Sequence, residues 1–133
     1  VTIIADASVM LAIYLEEAAS PAAKAALAGQ PVVAPQMILA EIANGLWRAH
    51  RTQRLGGADA RRILARVPNY FDRLVPTEDL AAAALDLALR RDHPAYDCFY
   101  VALAMQEGAP LATADRRLAE RFADDAAIHL LPG

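Results

Sequence analysis

The sequence predicts an α/β protein built around a mostly parallel sheet of four to five strands. Short apolar runs rich in β-branched residues alternate with longer segments of helical periodicity, the pattern of successive βαβ units. The chain has 133 residues, 56% hydrophobic and 22% charged, which suits a single core over residues 1–133 and is too apolar for disorder. Its longest apolar runs, such as 9–15 and 101–105, fall far short of the roughly 18–20 residues that a membrane-spanning helix needs, so no membrane segment is expected.

Thr2 to Ala5 reads as the first strand, ending at Asp6. Ser8 to Leu15 is helical, and a second helix from Pro21 to Ala28 follows Ser20 as its cap and stops at Gly29. Pro31 to Ala34 is a short strand closed by Pro35. Gln36 to His50 carries an apolar stripe at Ile38, Leu39, Ile42 and Leu46, the spacing of one helix face. Gly56-Gly57 breaks the chain before a helix from Ala58 to about Arg66, and Leu74-Val75 is a small strand before Pro76. An alanine-rich helix is expected over Thr77 to Arg91. Pro94, suited to a first turn, opens the next helix, which runs to about Gln106. Leu111 to Thr113 is a strand, Asp115 to Phe122 a helix and Ile128 to Leu131 a final strand.

The net charge of −3 is unevenly distributed. Residues 48–75 hold seven arginines against Asp59 and Asp72, a net +5 between two acidic ends. That segment is either a set of solvated helix faces or a surface that touches a polyanion. The lone cysteine, Cys98, cannot form a disulfide within the chain; it reads as a buried inert thiol, and a reducing cytoplasm is expected.

Several acids sit where surface charges do not belong. Asp6 ends a strand with a buried centre, and Asp115 directly follows another strand end; in open α/β sheets ligands bind outside the carboxyl ends of strands. Each could equally cap the helix that follows it. Asp97 is the one charge in a segment, Ala95 to Met105, that is otherwise apolar or aromatic all round, and no arginine or lysine stands one turn away to pair with it. It could also simply favour its helix dipole from the first turn. Glu41 borders the apolar stripe of its helix, where it is either part of the site or a solvated boundary residue. If these acids converge, repulsion raises their pKa values unless a cation neutralises them, and oxygen-only ligands suit Mg²⁺ or Mn²⁺. Such an ion polarises a phosphodiester and activates water at neutral pH.

Trp47 could stack a base or pack beside the stripe, and Tyr96, Phe99 and Tyr100 are expected in the core. His50, His93 and His129 lack metal-ligand spacing; His93 is assigned to the turn before Pro94. Arg116 and Arg117 flank Asp115, either to contact phosphate or as a solvated face.

Four ordered motifs now stand out: Ile3-Ile4-Ala5-Asp6-Ala7-Ser8, the run Ala40 to Leu46, the run Tyr96 to Ala104, and Leu111 to Leu118. Together they resemble the PIN-domain ribonucleases, most of all the VapC toxins of bacterial toxin–antitoxin pairs, over essentially the whole chain. The resemblance implies an α/β/α sandwich, a Mg²⁺- or Mn²⁺-dependent endoribonuclease acting on RNA, a VapB-type antitoxin partner and a homodimer. It places the acidic site on Asp6, Glu41, Asp97 and Asp115, with Asp6 and Asp97 as the metal ligands. Ser8, Asn44 and Thr113 match polar accessory positions.

Two other classes compete. A phosphoacceptor receiver domain needs a lysine at a late strand end, whereas the only lysine here is Lys24; a haloacid dehalogenase-type phosphatase needs a second Asp where Ser8 stands. A non-catalytic PIN-like binding module would use the same acids to receive a partner's arginine.

Overall fold

Ile3–Ala5 forms β1, three consecutive apolar residues buried on both faces and therefore able to sit only at the centre of a sheet covered on both sides. It pairs in parallel with β2 (Val32–Pro35) on one flank and with β4 (Leu111–Thr113) on the other, so that Ile4 lies opposite both Val33 and Leu111. β3 (Arg73–Val75) extends the sheet beyond β2, and β5 (Ile128–Leu130) extends it beyond β4. The result is a five-stranded, all-parallel sheet in the order β3-β2-β1-β4-β5. The computed structural model that shows it describes residues 1–132.

The helices are α1 (Ala7–Tyr14), α2 (Ser20–Leu27), α3 (Ile38–Arg51), α4 (Gly57–Arg66), α5 (Ala81–Arg91), α6 (Ala95–Glu107) and α7 (Arg116–Arg121). The chain steps outward from β1 to β2 to β3, then returns across the sheet to β4. Right-handed crossovers therefore place α1–α4 on one face and α5–α7 on the other, and leave a crevice at the carboxyl ends of β1 and β4 where the direction reverses. α3 turns Ile38, Ile42, Leu46 and Ala49 inward and Arg48 and Arg51 outward. α6 is buried along most of its length, lying against β1, β2, β4 and α5, and it ends at Gly108, whose φ of 60° is the left-handed conformation that closes a helix without strain. Among the described residues no helix is long and apolar enough to cross a membrane.

Three local expectations are corrected. The helix expected over Thr77 to Arg91 begins as a 3₁₀ turn at Thr77–Leu80 and becomes α-helical only at Ala81, because the Thr77 hydroxyl accepts a hydrogen bond from Met37 N (2.9 Å) and ties the turn to the start of α3. Ser20 does not cap α2. It lies inside the helix and donates to the Ala12 carbonyl of α1, so it ties two helices together instead of starting one. Tyr96, expected in the core, is 72% exposed, since it faces outward on the first turn of α6.

The edge between β2 and β3 is held by a side chain as well as by the ladder. Asp72 Oδ2 accepts from Val32 N at 2.8 Å while Asp72 N donates to Val32 O at 2.9 Å. Asp72→Ala leaves the Val32 amide of a buried strand residue without its acceptor, and urea denaturation is expected to show a loss of about 1–3 kcal/mol with unchanged helical content; no loss would mean that this amide finds water.

Candidate active site

At the crevice beside β1, the chain places a carboxylate that is only 5% exposed. Asp6 Oδ1 accepts from the Ser8 hydroxyl at 2.5 Å and from Val9 N at 3.2 Å, and Oδ2 accepts from the Thr113 hydroxyl. Asp6 is therefore the N-cap of α1 and a member of the crevice at once; the capping role is real, and it uses only one of the two oxygens. Both hydroxyls are themselves fixed, because Ser8 Oγ accepts from Ala114 N (2.9 Å) and Thr113 Oγ1 accepts from Asp115 N (3.0 Å). Burial pushes the Asp6 carboxyl up to about 6; its donors only partly oppose this, and the charge of Asp97 adds to it.

Glu41, on the first turn of α3, accepts from the hydroxyl of Tyr100, a residue buried in α6 to 2% exposure. Tyr100 is thus in the core as expected, with its polar end aimed at the site. Partial burial raises the Glu41 carboxyl above its usual range; the Tyr100 bond opposes this and the Asp97 charge reinforces it. Asp97 acts electrostatically on both Asp6 and Glu41, so these three acids share one region.

Asp97 itself is half-buried on the first turn of α6, with its side chain 32% exposed, and it does have a partner one turn away. His93 Nε2 lies 2.7 Å from Asp97 Oδ2, its ring buried and held edge-on by Phe122 at 5.0 Å between centroids. The assignment of His93 to a plain turn missed this contact. The i, i+4 spacing from His93 to Asp97 was the available signal, obscured because Pro94 separates the turn from the helix.

Asp115 is less closely engaged. Its Oδ1 accepts from Leu118 N at 3.2 Å as the N-cap of α7, and it joins the other acids only through the Thr113 hydroxyl. Asn44 is exposed and lines a cleft of about 580 Å³ together with Ser8, Glu41, Arg48 and Tyr96. Asp6 and Asp97 do not line this cleft, but their neighbours Ser8 and Tyr96 do. Trp47 is 53% exposed and lies under the Arg51 guanidinium, 5.4 Å from the ring centroid, so it neither packs in the core nor faces the acids. Arg54, Arg62 and Arg73 form ion pairs with Glu17, Asp59 and Glu107, whereas Arg48 forms none among the described residues. Cys98 is buried and its thiol is pushed up to about 11 by burial and by Asp97, which leaves it inert at neutral pH.

The fold and the sequence are met in known proteins. A family model described as PIN domain matches residues 3–123. Ribonuclease VapC3 of Pyrobaculum aerophilum is 33% identical over 123 residues, covering 90% of this chain and 94% of that protein. Ribonuclease VapC9 of Mycobacterium tuberculosis is 33% identical over 130 residues, 98% of each chain. A chain in the crystal structure of VapBC2 from Rickettsia felis, bound there to a DNA fragment from its promoter, superposes with a TM-score of 0.69 over 99% of this chain and all of its own at 10% identity, a likeness of fold. With one family model running from β1 to the end of α7 and relatives alike over nearly their whole length, the chain belongs to the PIN domain family.

Proposed function

We propose that the protein is a divalent-metal-dependent endoribonuclease that hydrolyses RNA phosphodiester bonds, the toxin of a type II toxin–antitoxin pair restrained by a VapB-type antitoxin. The observation that carries this reading is the buried Asp6 carboxylate, whose charge is opposed by burial and by Asp97 while among the described residues no lysine or arginine bonds to Asp6, Glu41 or Asp97. Three acids arranged in this way call for a cation. The names of the relatives, ribonucleases of the VapC type, support the substrate class, and the VapBC2 assembly supports an antitoxin partner.

The donor set fits a hard divalent ion. All the carboxylate donors are oxygens, and the one histidine at hand is already committed to Asp97. Among the described residues no three His, Cys, Asp or Glu side chains form a ready cage. Mg²⁺ does not require one, since it commonly takes one or two carboxylates and keeps several waters. Asp6 and Asp97 would hold the ion, with Glu41 and Asp115 completing the acidic pocket directly or through water. When bound, the ion supplies charge neutralisation at the phosphate and activation of water. The chain supplies rigidity: Ser8, Val9 and Thr113 lock the Asp6 rotamer, and His93, buried against Phe122, orients Asp97 in the manner of an outer-shell partner. Glu41, its acidity weakened by burial, is the group placed to accept a proton beside the cleft.

Purified protein is expected to cleave single-stranded RNA with Mn²⁺ or Mg²⁺ and to lose cleavage in EDTA. Asp97→Asn should lower the rate on the order of 100-fold or more, and co-expression of a VapB-type partner should relieve growth arrest. No cleavage with either ion, or an Asp97→Asn variant equal to the parent, would overturn the catalytic reading in favour of a binding module.

A second expectation concerns the metal-free protein. The Asp6 carboxyl titrates near 6 in the folded chain against 3.8 for the free group, so its contribution to stability is fully present below about 3.8 and is lost as pH rises through about 6. Asp6→Asn keeps the size and removes the charge. The unfolding free energy of the variant relative to the parent should therefore rise between pH ~4 and pH ~8, by up to about 3 kcal/mol; a difference that does not change with pH would contradict the assignment.

A further inference from the structure

Tyr96 and Tyr100 lie four residues apart on α6 and receive opposite treatment. Tyr100 is buried and bonded to Glu41, whereas Tyr96, directly before Asp97, is 72% exposed and makes no hydrogen bond among the described residues. Tyr96 lines the cleft that Glu41 also lines, and the apolar part of that lining is small side chains and one leucine, Ala7, Leu11 and Ala40. Arg48 lines the same cleft from α3, two helical turns beyond Glu41, which sets it ~10 Å along the helix axis from the acid. Asn44 stands between them. Arg48 is exposed and forms no ion pair among the described residues, and Glu41, seven residues away on the same helix, is bonded to Tyr100.

An uncommitted aromatic face, an apolar lining and an unpaired guanidinium ~10 Å along α3 from Glu41 make up the recognition set for unpaired nucleic acid. Building on the ribonuclease reading, we infer that this cleft is a nucleotide subsite next to the scissile phosphodiester, in which Tyr96 stacks on a base of single-stranded RNA and Arg48 holds the neighbouring phosphate. The base is gripped by its face, so the subsite tolerates different bases, and it rejects duplex because paired bases are already stacked on one another.

The test uses the full chain. Binding of a short mixed-sequence single-stranded RNA is followed by fluorescence anisotropy in EDTA, and KM and kcat are measured with Mn²⁺. Tyr96→Ala is expected to weaken RNA binding about tenfold or more and to raise KM by a larger factor than it lowers kcat. Tyr96→Phe should restore both, because the ring and not the hydroxyl is used. Arg48→Gln should weaken binding and flatten its dependence on log salt by about 0.7, one phosphate contact on a single strand. Both side chains are exposed, so thermal melts should match the parent. Tyr96→Ala binding RNA as tightly as the parent would overturn the subsite while RNA cleavage by the parent leaves the ribonuclease reading standing; a parent that neither binds nor cleaves RNA would overturn both. Loss of antitoxin binding in Tyr96→Ala with RNA binding intact would assign the cleft to the protein partner and equally overturn the inference.

Discussion

The carboxylate of Asp6 ties together the two halves of the sheet. It accepts from the first turn of α1 through Ser8 and Val9, and from the end of β4 through Thr113. Those two hydroxyls in turn accept the amides of Ala114 and Asp115, so one buried charge organises both crossovers that diverge at the centre of the sheet. Three donors lower the cost of burying it without cancelling it, and the carboxyl stays raised to about 6. A group that weakens its own ionisation at the middle of a fold is the usual mark of a site kept for chemistry instead of stability.

The remaining acids follow from where the topology puts their elements. α3 leaves the carboxyl end of β2 and brings Glu41 on its first turn; α6 crosses beneath the sheet and starts with Asp97 at the same edge. Each is steadied by a neighbour, Glu41 by the Tyr100 hydroxyl of α6 and Asp97 by His93 one turn before it. Function on this account is a property of three helix N-termini gathered at a switch point, with oxygens that compete for too little positive charge until a cation arrives.

Much of this was legible in the residues. Consecutive β-branched residues marked β1 and β2, a short apolar run marked β4, and acids directly after strand ends marked the crevice, because composition and position alone carry those signals. The double role of Asp6 was not legible: capping and site membership use the same residue type at the same place, and only the second oxygen, bonded to Thr113, distinguishes them. His93 was passed over because a histidine before a proline reads as a turn, and the contact of its buried ring with Phe122, just after α7, spans parts of the chain far apart in sequence. Tyr96 was misplaced for the opposite reason. An aromatic run looks uniformly apolar in sequence, and only the geometry of the first turn of α6 sends one ring out and the other in.

Isothermal titration calorimetry of Mn²⁺ binding, repeated in buffers of different ionisation enthalpy, tests the central claim most directly. If the ion replaces the missing positive charge at Asp6, binding near pH 6 releases about half a proton from Asp6, and the release falls toward zero near pH 8. Binding with no proton release at pH 6, or no binding of the ion at all, would contradict it.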